Sequence, residues 1–317
     1  MSDEQRAEVG TIYRHQSRFE ARRIGAAYIT RNVGKYLATH FDDKTKDYHP
    51  LLYCWRGGMR SQAIATILSA VGWRVGVLQG GYRAWRRDVV TKLREAGPDF
   101  RFLLIDGQTG TSKTEVLELL AEDGCQTLDL ERLADHRGSV FGGFTDRQQP
   151  SQKQFESRVW YELSTLDEKK PIIVEAESAK IGRCALPDRV LHSMRSAARI
   201  ELRANVHARA KKLVRSYSDL LDKPDRLACA IQRLGAYHSQ QQIELWLDLA
   251  TDRNYETLAA ELMERHYDPR YERQRRKRND DPVKVINLPS LDKPDLDIAA
   301  QDIAAFANDH PEIVKLP

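Results

Sequence analysis

Cysteine is scarce in this chain: four residues in 317, at positions 54, 125, 184 and 229. No Cys-x-x-Cys spacing and no Cys/His cluster occurs, so neither a disulfide framework nor a structural zinc is expected, and the usage fits a reducing cytoplasm. Long apolar runs are also missing. No stretch reaches the roughly 18 apolar residues a membrane-spanning helix needs. The polar, acidic start MSDEQRAEVG is expected not to act as a secretory signal. Neither sign of charge dominates: 50 Lys and Arg against 46 Asp and Glu leave +4, so where the positive charge sits matters more than its total. What is present is 41% hydrophobic residues, enough for real cores. With 30% charged residues and a negative mean hydropathy, that describes a soluble protein of about two domains.

Residues 51–85 organise the rest. The apolar run Leu51, Leu52 and Tyr53 reads as a buried strand that ends on Cys54. The following Trp55-Arg56-Gly57-Gly58-Met59-Arg60-Ser61 is too rich in Gly and Arg for a strand and reads as a tight loop feeding a helix, with Ser61 as its N-cap. Ile64, Ile67, Leu68 and Val71 fall at helical spacing, Gly72 ends the helix, and Val75, Val77 and Leu78 form a second short strand. A thiol at a strand end, ringed by backbone N–H groups and facing a helix N-terminus, sits in a positive field that favours thiolate. Arg56 and Arg60 add fixed charge, and Gly57 and Gly58 let the loop curl. A buried, inert core cysteine is the bland alternative, but it leaves two Arg and two Gly unexplained.

The Cys-x-x-x-x-x-Arg-Ser loop, followed by Leu-x-Gly-Gly-x-x-x-Trp, resembles the second half of a rhodanese domain. The resemblance implies that the loop cysteine carries a persulfide or its selenium equivalent. Residues 1–50 depart from that pattern. They lack strand signals, the Asp-x-Arg strand end and the Gly-x-Ile-Pro-Gly-Ala segment, although Ala21 to Leu37 reads as helical. The domain is therefore expected to be truncated, without its leading strands, and the Leu51 strand to carry an unpaired edge.

After a charged helix ending near Gly97-Pro98, a second pattern starts. Residues 100–105 form a strand, 106–114 a Gly-rich loop and 115–121 the opening of a helix, the context a P-loop requires. Gly107, Lys113 and Thr114 match G-x-x-x-x-G-K-[ST], with Ser112 in place of the last Gly. N–H groups of 109–114 would surround a diphosphate, with Gly110 in the loop, Lys113 as a point charge and Thr114 toward a metal if one is used. The alternative is a plain strand-to-helix turn. Asp129, Glu131, His136, Arg137 and Ser139 crowd nearby as ligands for a phosphorylated substrate, or as ordinary loop polarity. A strand at 171–175 ends on Glu175, where a P-loop protein keeps a carboxylate for metal or water. Another strand covers 198–202. Residues 190–278 are mostly helical and basic, with 267–271 (YDPRY) breaking the last helix. Arg273, Arg275, Arg276, Lys277 and Arg278 then form a cluster suited to RNA phosphates, or a solvated face. A short helix is expected near 298–308.

The strings CWRGGMRSQ, GGYRAWR, the P-loop, DLERLADHRGS, QPSQKQFE, VEAES-x-x-IG, RLG and HYDPRY together resemble the tRNA 2-selenouridine synthase family, over about residues 1–271. The fold expected is α/β throughout: a truncated rhodanese-like domain (1–97), a parallel-sheet P-loop domain (98–205), and a mostly helical region continuing it (206–317). The resemblance implies a transferase acting on the wobble 2-thiouridine of a tRNA anticodon loop. Sulfur is first geranylated from geranyl diphosphate, and selenium from selenophosphate then replaces it. Cys54 would carry selenium, with Arg56, Gly57, Gly58, Arg60 and Ser61 shaping its loop. Gly107, Gly110, Ser112, Lys113, Thr114 and Glu175 would hold diphosphate. No tightly bound cofactor and no metal ligand set is expected, although Mg²⁺ is compatible with the loop. The reading leaves room for a selenophosphate-supplying enzyme as partner and none for a membrane. A nucleotide hydrolase or kinase with a degenerate sulfurtransferase domain, and a non-catalytic tRNA-binding protein, are the alternatives.

Overall fold

Two capped helices open the chain. In α1 (Asp3–His15) the Ser2 hydroxyl accepts from Gln5 N–H while the Gln5 side chain accepts from Ser2 N–H, a complete capping box. In α2 (Arg18–Leu37) Ser17 caps by accepting from Glu20 N–H. The computed structural model describes residues 1–56, 58–94, 100–278 and 281–310. It divides into two units, Met1–Val89 and Val90–Pro317. The expected boundary at Gly97-Pro98 lies outside the described residues.

In the first unit β1 (Leu51–Leu52) pairs in parallel with β2 (Gly76–Val77), and the helix α3 (Met59–Val71) joins them. Gly72 closes α3 in the left-handed conformation, as its sequence position predicts. Two expectations fail here and a third holds in part. The strand is not buried: Leu51 and Tyr53 are 67% and 65% exposed, because the described sheet has only two strands. The buried stripe of α3 is Ser61, Ala65 and Leu68; of the expected face Leu68 is buried, Ile64 and Ile67 are half-buried and Val71 is exposed. Ser61 is not the N-cap either. Gly58 is, and the helix starts early enough to place Ser61 in its first turn. The next helix, α4 (Gly81–Arg94), leads the chain from the first unit into the second.

The second unit is built on β3 (Phe102–Gly107), whose six residues are all buried, as a central parallel strand demands. It is followed by α5 (Lys113–Glu122), β4 (Thr127–Leu128), α6 (Leu130–Ala134), α7 (Gln152–Thr165) and β5 (Ile172–Glu175). A short hairpin of β6 (Lys180–Ile181) and β7 (Cys184–Ala185) precedes α8 (Asp188–Ser196) and β8 (Ala198–Arg203). The helices α9 (Val206–Ser216), α10 (Ser218–Leu221), α11 (Pro224–Gln232), α12 (Gln240–Thr251) and α13 (Tyr255–Leu262) come next. A π-helical turn (Met263–Tyr267) runs directly into α14 (Asp268–Arg278), and β9 (Lys284–Asn287) and α15 (Lys293–Asp309) complete the described chain.

The sheet order is β4-β5-β3-β8-β9, all parallel. Leu103 and Ile105 of β3, with Ile200 and Leu202 of β8, share a core with Leu120 of α5 and Ile303 of α15. A second core gathers around the fully buried Trp246 from α10 to α13. Two sequence expectations need correction. Tyr267 to Tyr271 does not break the last helix. Pro269 falls in the first turn of α14, where its missing N–H costs least, and the wider π turn precedes it. Asp106 and Gly107 belong to the strand, held in register by Glu201 and Leu202 of β8.

Candidate functional sites

Cys54 follows β1 directly, and its loop is pinned at both ends. Its carbonyl accepts from Tyr82 N–H (2.9 Å) and that of Trp55 from Arg83 N–H (3.1 Å). Trp55 stacks on Tyr82 with centroids 4.9 Å apart. The sulfur accepts from Gly58 N–H at 3.3 Å and from the Ser61 hydroxyl at 3.4 Å. Burial pushes this thiol up. The Ser61 hydroxyl and the N–H groups of Gly58, Ser61 and Arg56 outweigh that and bring it down to about 6. Cys54 is thus largely thiolate at neutral pH, a nucleophile held at a helix N-terminus. The early helix start is what delivers Ser61: as a first-turn residue its hydroxyl reaches back to both Cys54 and the Gly58 carbonyl. The Arg56 and Arg60 side chains are exposed, and Gly57 lies outside the described residues.

In the second unit the loop between β3 and α5 takes the expected place. Gly107 has φ of 150°, and a Cβ there would lie 2.7 Å from Leu202 O and 2.8 Å from Thr111 Oγ1, so no larger residue fits. Lys113 Nζ folds back to donate to the carbonyls of Gly107 (3.0 Å) and Gln108 (3.4 Å). Of the N–H groups expected to face a diphosphate, that of Thr111 is already given to Gln108 O (3.3 Å). The first-turn donors of α5 lack intrahelical acceptors, as at any helix start.

Ser112 occupies the position where the motif asks for glycine, and it adopts the left-handed conformation (φ 59°, ψ 31°). The geometry of the loop is therefore kept without the residue that makes it cheap, and the buried Ser112 hydroxyl has no hydrogen-bond partner among the described residues. Ser112→Gly removes both penalties at some cost in backbone entropy. The variant is expected to be about 1 kcal/mol more stable by urea unfolding, with diphosphate affinity retained. A less stable variant would show that the strain lies elsewhere.

Glu175, at the end of β5, is buried and meets Glu131 of α6 and Glu177, with carboxylate oxygens of all three within 4.8 Å of one another. Glu175 Oε1 has no hydrogen-bond partner among the described residues. Burial first, then repulsion from Glu131, raises Glu175 to about 8, while Lys113 opposes the shift. Glu131 and Glu177 are also held well above the usual carboxylate range, by burial first and then by repulsion from Glu177 and from Glu175 respectively. Such a set either shares protons or holds a cation, which its hard oxygen donors and the orphaned oxygen suit. Only Glu175 of the three was singled out for this role from the sequence.

The neighbouring polar residues have structural duties. Arg137 pairs with Asp219 at 2.7 Å and lies over the rings of Phe144 and Tyr217, and the Ser139 hydroxyl is 2.9 Å from Tyr217 OH. His136 is buried, and burial followed by Arg137 keeps it below the ordinary histidine value. The basic cluster of α14 divides. Arg278 binds Asp106 at 2.8 Å and Arg275 approaches Glu201 at 3.6 Å, while Arg273, Arg276 and Lys277 are exposed.

Two features escaped the sequence. Arg209, 3% exposed, makes a two-pronged pair with Asp268 (2.9 and 2.8 Å) and donates to Thr109 O in the phosphate loop (3.1 Å). An arginine on the otherwise apolar face of α9 was the available signal. His266, in the π turn, lies 2.8 Å from His238 between ring nitrogens, and burial and then Arg270 push it down to about 4.

Comparison with known proteins gives two domain matches. Residues 13–88 match the rhodanese-like domain, and residues 100–242 match the tRNA 2-selenouridine synthase AAA domain. Proteins named tRNA 2-selenouridine synthase are similar along most of the chain. The one from Shewanella denitrificans is 34% identical over 239 residues, 74% of this chain and 62% of that protein. That from Nitrosomonas europaea is 34% identical over 202 residues, 62% and 52% respectively. That from Hahella chejuensis is 31% identical over 311 residues, 88% and 80%. The matches with the first two thus span 62% and 52% of those relatives. Among solved structures, a gluconokinase from Sinorhizobium meliloti aligns with 67% of this chain and 97% of its own at 12% identity and TM-score 0.25, too slight a likeness to build on.

Proposed function

This chain belongs to the tRNA 2-selenouridine synthase family, and from that premise we propose that it modifies the wobble 2-thiouridine of tRNA in two steps, using the sites of its two units. Cys54 is the observation that carries the reading: a thiol brought to about 6 by four donors is a nucleophile prepared for covalent chemistry. In this reading it carries selenium derived from selenophosphate; because that selenium is at the selenide level, the S–Se bond to Cys54 forms with a two-electron oxidant such as a disulfide, and a thiol reductant releases the selenium to the tRNA. A tRNA-binding protein without catalysis has no use for it.

The other half of the proposal assigns the phosphate loop to geranyl diphosphate. The 2-thio sulfur attacks C1 of the prenyl group, the C1–O bond breaks, and its electron pair leaves with diphosphate. Lys113 and the first-turn N–H groups of α5 would hold the growing negative charge of that leaving group. A divalent cation fits Glu131, Glu175 and Glu177, and when bound it would neutralise part of the diphosphate charge. The exposed Arg273, Arg276 and Lys277 would contact tRNA phosphates, whereas Arg275 and Arg278 are committed to carboxylates of the sheet.

The test is release of inorganic diphosphate from geranyl diphosphate, with tRNA carrying or lacking 2-thiouridine. Release that depends on the 2-thio group supports the proposal. Turnover of ATP without tRNA, and none of geranyl diphosphate, would replace it with a nucleotide hydrolase.

A further inference from the structure

The prepared thiolate uses only part of the segment from Cys54 to Ser61. Its donors are the Ser61 hydroxyl and the N–H groups of Gly58, Ser61 and Arg56, and neither arginine side chain is among them. Arg56 and Arg60 are exposed and have no ion-pair partner among the described residues.

Trp55 is the third side chain that the thiolate does not use. One face of its indole lies on the Tyr82 ring, 4.9 Å between centroids and 21° between planes, and Tyr82 leans in turn on Trp85 at 5.5 Å. Tyr82 is fixed to the loop, because its N–H donates to Cys54 O. The indole is nevertheless 57% exposed. A ring needed only to brace the loop would be covered on both faces; this one keeps a face open beside a nucleophile. An indole on a fixed aromatic stack, flanked by two unpaired guanidinium groups, suits an unstacked base: the ring takes the face of the base and the arginines take the neighbouring phosphates. A duplex offers no free base face to such a ring.

We propose that Trp55 is the stacking platform for the unpaired acceptor base of the RNA and that Arg56 and Arg60 take the phosphates flanking it, so that this face of the first unit positions the base at the Cys54 sulfur. The inference rests on reading Cys54 as the group that acts on tRNA. It adds the side chains that bring the RNA to it.

The experiment follows alkylation of Cys54 by iodoacetamide in the full chain, read at its own peptide by mass spectrometry, as an anticodon stem-loop RNA is added. The wobble base of that RNA is S-geranyl-2-thiouridine, whose sulfur is already a thioether and does not consume the reagent. The RNA should shield Cys54. Trp55→Ala should raise the RNA concentration for half-shielding about tenfold, the order one stacked base contributes. Trp55→Phe should restore most of the shielding, because phenylalanine keeps a stacking face. Without RNA both variants should keep the pH midpoint of the unaltered protein, since the indole gives the sulfur no hydrogen bond. Arg60→Ala should flatten the slope of log affinity against log salt by about 0.7, one phosphate contact of a single strand. RNA that binds the chain by electrophoretic mobility yet leaves Cys54 unshielded overturns the platform and leaves the modification reading in place. Shielding untouched by Trp55→Ala does the same. A midpoint shifted by Trp55→Ala without RNA would make the indole a brace for the loop and also overturn the proposal. RNA that does not bind at all overturns both. The shielding itself needs only the unaltered protein, so the inference stays testable if Trp55→Ala does not fold.

Discussion

Cys54→Ser is expected to lower selenium incorporation into tRNA by at least about 10³-fold while leaving geranylation intact. The substitution exchanges sulfur for the smaller oxygen at a half-buried position, and the hydroxyl can still accept from Gly58 and Ser61, so the loop should keep its shape. What is lost is the ionisation. Sulfur held at about 6 is mostly charged at neutral pH, whereas a serine hydroxyl is not. The same argument fixes a pH signature for the unaltered protein. Alkylation of Cys54 by iodoacetamide should be half-maximal near pH 6, faster above and slower below. Ser61→Ala should move the midpoint upward by removing one donor to the thiolate. Undiminished selenium transfer by Cys54→Ser would remove the residue from the mechanism.

Asp268→Ala should cost about 3–5 kcal/mol of stability in the second unit, because it leaves the buried Arg209 guanidinium without its counter-charge. The loss should also reach the phosphate loop. Arg209 holds Thr109 O at 3.1 Å, and an arginine free to turn toward water no longer fixes that carbonyl. Weaker geranyl diphosphate binding should therefore accompany the fall in unfolding free energy. The pair should be strongly non-additive: once Asp268 is gone, removing Arg209 costs little more, or restores stability. Additive effects of Arg209→Leu and Asp268→Leu would show that the two groups do not depend on each other.

The two candidate sites were legible because each is written in one short segment. The Gly and Arg density after Cys54 marks its loop, and the strand, loop and helix around Lys113 follow the spacing a phosphate cradle needs. Ser112 shows that the loop geometry survives a departure from the motif, since serine takes the left-handed conformation at a moderate cost. What could not be read is what tertiary structure assembles. Glu131 comes from α6 while Glu175 ends β5 and Glu177 lies just past it, and Arg209 and Asp268 are 59 residues apart. The misreadings have local causes as well. The run Leu51 to Tyr53 was apolar enough to look buried, but burial depends on neighbours, and the described sheet offers one. Pro269 looked like a break because a helix interior excludes it, whereas a first turn after a π turn does not. The strand Lys284–Asn287 was missed because it is short, half exposed and at the edge of the sheet.

The most direct test of the account is nucleoside mass spectrometry of 2-thiouridine tRNA incubated with this chain, geranyl diphosphate and selenophosphate. The account predicts a geranylated intermediate that gives way to 2-selenouridine. Unmodified 2-thiouridine, from a protein shown to bind both the tRNA and geranyl diphosphate, would contradict it.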